Sequence, residues 1–229
     1  DLNGKTVSNT ADLWNESIAS WSLLSVRGGS LTIKGAGTLQ AKENDCFAVD
    51  VQDGGTVVIE DGTYVGNVHA VYVYEGTAEI KGGKYSIKQL SSNPDPYGYV
   101  LNCYDKNREN GIAKIIVTGG EFVKFNPADC AAEGAHTSFL ADGYKSTQIG
   151  DSYFVTKAGV TPVANQEGFE DVISNGSVGT PIEIQAAPNS TIVLKTGLAH
   201  EGVKARNITI VGNGSQTVDV ISGSTSAEG

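Results

Sequence analysis

An all-β chain wound as a right-handed parallel β-helix (β-solenoid), with a short helix opening a second β module, is the fold class the sequence predicts. Three observations predict it. A unit of strand, glycine bend and apolar or aromatic residue recurs four times. A second set of short strands falls between its copies. Glycine, at 29 of 229 residues, runs at nearly twice its usual frequency of roughly 7%.

The four copies are residues 30–39, 56–64, 77–85 and 114–122, ending in Leu39, Tyr64, Tyr85 and Phe122. Strand side chains alternate between faces, so Leu31 and Ile33, Val57 and Ile59, and Ala78 and Ile80 each present a pair to one side, the core. The interleaved strands are residues 48–51, 70–73 and 100–103, each followed by a glycine turn, at Gly54 and Gly55, at Gly76 and at Gly111. Two strand types returning in one order describe a coil. The step from Ile33 to Ile59 to Ile80, about 20 to 26 residues, is near one turn of a β-helix. The polar stretch 89–98 reads as an insertion between turns, which a solenoid tolerates because the stacking of its coils is undisturbed. An antiparallel hairpin sandwich is the competing fold, and its strands need not return in one cyclic order.

Register follows from the repeat. With Val51, Val73 and Cys103 aligned, Val49, Val71 and Leu101 also stack inward. Asp50, Tyr72 and Asn102 then point outward beside Gln52, Tyr74 and Tyr104, which predicts an exposed face with three tyrosines among small polar groups. Residues 8–21 read as a short helix sharing Leu13, Trp14 and Ile18 on one face, or as an insertion. Residues 121–142 are loop-rich and lead to a hairpin made from 141–145 and 153–156, so a first module spans 1–157. After a linker at 158–162, an amphipathic helix capped by Asn165 precedes strands at 181–185, 191–194, 207–211 and 218–221. This is the second module, 158–229, read as cut short at Gly229. The chain has no methionine, including at position 1, and so reads as a processed product or an excerpt.

A net charge of −10 with no Lys/Arg cluster argues against nucleic acid and against an anionic membrane, both of which need a concentrated basic face. No apolar run approaches the roughly 20 residues needed to span a bilayer. Cys46, Cys103 and Cys130 match no zinc spacing and read as small core residues. Asp45, Asp50, Asp53, Glu60 and Asp61 form no acidic ladder, and calcium needs six to eight oxygens, so they read as solvated surface; neither metal nor cofactor is expected. Arg27, at a strand end, and Arg108, in a polar loop, read as solvated. His69 follows Phe47 in register and packs beside a coil turn, whereas His136 and His200 stand isolated in loops. Gly28 with Gly29, Gly82 with Gly83 and Gly119 with Gly120 are turn glycines rather than phosphate loops. No catalytic residue is nominated. Tyr72, Tyr74 and Tyr104, with Asp50 and Asn102, are the candidate glycan contacts, because a tyrosine offers a flat apolar face and a polar rim; β-propensity on an exposed strand is the plain alternative.

The runs Leu2 to Val7 and Trp21 to Gly29, and the closing phrase Thr118 to Phe122 and Asn126 to Asp129 with Ala141 to Tyr144, resemble pectin-lyase-like right-handed β-helix modules. Such modules occur in gut-bacterial surface proteins and in virion proteins of tailed phages, crAss-like phages included. The resemblance covers about residues 1–157. In that family the Leu2 run is usually preceded by more strand, which fits a chain cut mid-solenoid. It implies a structural virion protein, a segment of a head or tail fibre or of a decoration protein, displayed on the virion surface. Its implied partners are other virion proteins or host-surface glycans, and its implied assembly is a homotrimer. Two alternatives stay open: a polysaccharide lyase or glycoside hydrolase on the same fold, and an adhesin on the bacterial cell surface.

Overall fold

The computed structural model describes residues 1–11, 16–17, 20–42, 46–89, 99–131, 136–175, 182–187 and 208–211. Its first strands come in threes: β1 (Thr6–Ser8), β2 (Ser22–Arg27) and β3 (Ser30–Ile33); β4 (Thr38–Gln40), β5 (Phe47–Gln52) and β6 (Gly55–Ile59); β7 (Thr63–Gly66), β8 (His69–Val73) and β9 (Gly76–Ile80); β10 (Lys84–Ile87), β11 (Leu101–Cys103) and β12 (Ala113–Val117). A short helix, α1 (Asp105–Glu109), separates the last two, and β13 (Glu121–Val123) follows. First members of the triplets pair with one another, as do second and third members, giving three separate ladders. Among the described residues every pairing between strands of β1 to β13 is parallel. A hairpin sandwich would have paired them antiparallel.

Register matches the repeat. Leu31, Val57, Ala78 and Ile115 align across β3, β6, β9 and β12, and Ile33, Ile59, Ile80 and Val117 align two residues on. Leu24, Val49, Val71 and Leu101 align across β2, β5, β8 and β11. The inner faces of the three ladders merge into one apolar cluster. At the ladder of first members, which β13 extends, this core is aromatic. Tyr64, Tyr85 and Phe122 are fully buried and stack ring on ring, with centroids 5.0 Å apart at each step. Each tyrosine hydroxyl donates to the carbonyl three residues earlier, Asp61 at 2.8 Å and Gly82 at 2.7 Å. The phenol thus satisfies a main-chain acceptor at the bend that brings it inward, and burial keeps both hydroxyls protonated by pushing their pKa above the usual tyrosine value.

The connections explain where insertions can go. Two residues join β2 to β3, β5 to β6 and β8 to β9 (28–29, 53–54 and 74–75). Three residues, 60–62, 81–83 and 118–120, join β6 to β7, β9 to β10 and β12 to β13. The bends of the second kind need glycine: Gly83 has φ +91°, and a Cβ there would lie 2.8 Å from the Gly62 carbonyl oxygen one turn below. The remaining connections vary: residues 9–21 before β2, 41–46 before β5, 67–68 before β8 and 88–100 before β11. Insertions are therefore borne at one kind of corner, apart from α1. The expected helix at Leu13, Trp14 and Ile18 and most of the expected insertion at 89–98 lie outside the described residues.

Beyond β13 the pairing changes sense. β14 (Tyr144–Ile149) and β15 (Ser152–Lys157) form the expected antiparallel hairpin, and β15 pairs antiparallel with β13. The expected linker at 158–162 proves to hold a strand, β16 (Val160–Val163), which pairs in parallel with β17 (Ile182–Ala186), and β17 with β18 (Ile208–Val211). The helix α2 (Gln166–Asn175) thus follows the first strand of its sheet instead of opening it. Pro162 hid the strand, because proline reads as a strand breaker, yet among the described residues β16 is the edge strand of its sheet, beside β17. Asn165 does cap the helix: its Oδ1 accepts from the Gly168 N–H at 2.9 Å. Phe169 and Ile173 bury against Val163 and Ile184 in a second, small core. The expected strands at 191–194 and 218–221 fall outside the described residues.

Candidate functional site

The ladder β2–β5–β8–β11 carries all five candidate residues on the face opposite Val49 and Val71. Ser25, Asp50, Tyr72 and Asn102 are register partners across the four strands. Two residues on, Arg27 pairs with Gln52, and Tyr74 and Tyr104 continue that row just past the ends of β8 and β11.

Alternation placed these side chains correctly, but their exposure needs correction. Tyr74 is exposed, at 44% of its full accessible surface. Tyr72 and Tyr104 are half-buried. Asp50, Gln52 and Asn102 are buried, so Asp50 and Asn102 do not stand in solvent as expected. The reason is local: the face carries its own polar network. Ser20 Oγ donates to Asp50 Oδ2 at 2.6 Å and Gln52 Nε2 donates to the same oxygen at 2.8 Å. Arg27 donates from one guanidinium nitrogen to Gln52 Oε1 at 3.0 Å, and its other lies 2.5 Å from Asp53 Oδ2. Arg27 is therefore paired rather than simply solvated. Asp50 Oδ1 and Ser25 Oγ are buried with no hydrogen-bond partner among the described residues.

Beside Asp50 lies an aromatic group that the tyrosine pattern alone did not reveal. Phe47, His69 and Tyr72 are mutually in contact, with centroids 5.1 to 5.4 Å apart. The signal was partial: Phe47 and His69 are register partners, as expected. His69 Nδ1–H donates to the Tyr99 carbonyl at 2.5 Å, which makes Nε2 the unprotonated nitrogen. Burial lowers the imidazole pKa to about 4, so the ring is neutral at pH 7. On the other row Tyr74 and Tyr104 stack at 5.1 Å with 25° between planes, and Asn107 Nδ2 donates to the Tyr74 carbonyl at 2.6 Å.

Several other expectations resolve elsewhere. Asp61 is buried, contrary to its reading as solvated, whereas Asp53 and Glu60 are exposed; Asp45 lies outside the described residues. Arg108 sits on α1 and not in a loop, 3.1 Å from Asp105 and 4.0 Å from Glu109. It lines a groove of about 660 Å³ between β12 and residues 137–142, together with Lys114, Phe139 and Asp142. His136 is not isolated, since its Nδ1 lies 2.6 Å from Asp129 Oδ1. His200 and Arg206 lie outside the described residues. All three cysteines are buried, and burial pushes the Cys103 thiol up to about 12, so it stays a thiol and packs as an apolar group. Among the described residues no three His, Cys, Asp or Glu side chains come together as a metal site, and no helix is long and apolar enough to cross a membrane.

A mostly β chain of parallel ladders, with one polar and aromatic outer face, is the class that the fold and this site define. No protein-family model, curated protein or solved structure matches the chain.

Proposed function

We propose that the three parallel ladders are the faces of one right-handed β-solenoid over residues 1–157, followed by a second β module over 158–229, and that the solenoid is a structural, non-enzymatic segment of a phage head or tail fibre or decoration protein that contacts host-surface glycans. Right-handedness is the rule for parallel crossovers within a sheet. The stacked pair Tyr74 and Tyr104 carries the binding half of the reading, because Tyr74 is an exposed ring and Tyr104, half-buried, supports it at the edge of a polar sheet face. The virion context rests on the resemblance in residues 1–157; a homotrimer and other virion proteins as partners belong to the same reading, with the bacterial cell surface as the alternative location.

The lyase reading draws on Arg27 lying beside Asp53 and, through Gln52, near Asp50. A lyase base must be free to take a proton from the sugar, and here the guanidinium is held by two partners. Purified protein incubated with acidic polysaccharides should therefore release no unsaturated products, which absorb in the ultraviolet, and should bind cell-envelope polysaccharide without shortening it. Depolymerisation that disappears in Arg27→Ala or Asp50→Ala would overturn the proposal in favour of the lyase.

A further inference from the structure

We infer that the row Arg27, Gln52, Tyr74 and Tyr104 takes an extended chain of neutral sugars, laid across β2, β5, β8 and β11 along the direction in which the strands stack. The inference rests on the glycan-binding reading above and adds the class of sugar and the path of the chain.

The path follows from the register. The row joins the register partners Arg27 and Gln52 of β2 and β5 to Tyr74 and Tyr104 just past the ends of β8 and β11, and adjacent strands lie ~4.8 Å apart. A ligand following it meets a guanidinium edge and two phenol rings, with the buried Gln52 amide between them. The inner row is less suited to the same task, because it offers no exposed ring: Tyr72 is half-buried and packed against Phe47 and His69, whereas Tyr74 is exposed. It acts as a support instead. Gln52 is held between Arg27 and Asp50 by two hydrogen bonds, which fixes its amide at one orientation, and Asn107 holds the backbone under Tyr74. A ring with a fixed backbone and one stacked neighbour loses little freedom when a sugar lies on it.

The sugar class follows from charge. A polyanionic chain needs unpaired cations, and both guanidinium groups near the row are already paired, Arg27 with Asp53 and Arg108 with Asp105. Asp53, Glu75 and Asp105 border the row, in a chain of net charge −10. A uronic or sialic acid polymer would meet repulsion there, whereas the apolar face of a neutral pyranose suits the exposed Tyr74, and its hydroxyls suit the phenol edges of Tyr74 and Tyr104.

The test is affinity electrophoresis of the full chain, and of Tyr74→Ala, Tyr74→Phe and Arg27→Ala, through gels containing dextran, mannan, galactan or arabinoxylan as neutral probes and polygalacturonate as the acidic one. Retardation by at least one neutral polymer is expected, weakened about tenfold in Tyr74→Ala and retained in Tyr74→Phe, with no retardation by polygalacturonate. Retardation by polygalacturonate that Arg27→Ala removes would overturn the neutral-sugar inference and leave glycan binding standing. Neutral retardation unchanged in Tyr74→Ala would overturn the row as the site. No retardation by any polymer, with all variants folded by circular dichroism, would sink both this inference and the glycan-binding reading.

Discussion

At the residue scale, His69 shows how a buried side chain acquires a function in stability rather than in chemistry. Its ring is enclosed by Phe47 and Tyr72 and tied to the Tyr99 carbonyl, where the chain returns from the 88–100 connection. The folded-state pKa, about 4, lies below the 6.5 of the free side chain. A depressed histidine pKa means that the folded state binds fewer protons than the unfolded state. The stability it contributes is thus fully present above about pH 6.5 and is lost as pH falls toward 4. The slope is at most one proton, about 1.4 kcal/mol per pH unit. Urea unfolding followed from pH 7.5 to 4.5 should show this loss, and His69→Gln should flatten it, since glutamine can donate to the same carbonyl without titrating. An equal slope in wild type and variant would assign the acid sensitivity to carboxylates instead.

At the element scale, strand order and register were legible, whereas the burial of the outer row was not. Period-two alternation in 48–51, 70–73 and 100–103 sufficed to align Val49 with Val71 and Leu101, because an error of one residue would turn every apolar group to the outside. The same alternation placed Asp50 and Asn102 on the outer face and stopped there. Whether an outward side chain meets water depends on what its neighbours send over it, and Ser20 reaches Asp50 from 30 residues away, a contact that no local pattern encodes. Strand β16 was missed for a comparable reason: its proline is harmless at a sheet edge, and edge position is a property of the sheet.

The bends provide a sharper test of the elements. Gly54 and Gly83 both have positive φ, but a Cβ at Gly54 would meet nothing within 4 Å while one at Gly83 would press on the Gly62 carbonyl. Backbone strain alone costs about 1–2 kcal/mol, and the contact at Gly83 adds to it because the strand below cannot move without disturbing the Tyr64–Tyr85 stack. Chemical denaturation should show Gly83→Ala losing clearly more stability than Gly54→Ala. Equal losses would mean that the bends do not lie directly above one another.

At the scale of the whole molecule, three parallel ladders have two kinds of corner that are short, apart from the one that holds α1, and a third kind that varies in length, and the outer polar and aromatic face lies on the ladder that follows it. Parallel ladders supply regular spacing, and the row from Arg27 to Tyr104 follows it. The glycan reading and the direction of the proposed sugar chain both require that register partners on neighbouring strands stand side by side. Thr56 and Thr77 do so on β6 and β9, and both are half-buried on the outer side of their ladder. Neighbouring parallel strands bring their Cα atoms to ~4.8 Å, inside the range of roughly 4.4–6.8 Å for a disulfide. Introducing cysteines at Thr56 and Thr77, oxidising and mapping the peptides by mass spectrometry should give an intrachain disulfide in high yield, while cysteines at Thr56 and Glu79, two residues out of register, should give little. Efficient bonding of the Thr56 and Glu79 pair, or none for Thr56 and Thr77, would contradict the coil on which the account stands.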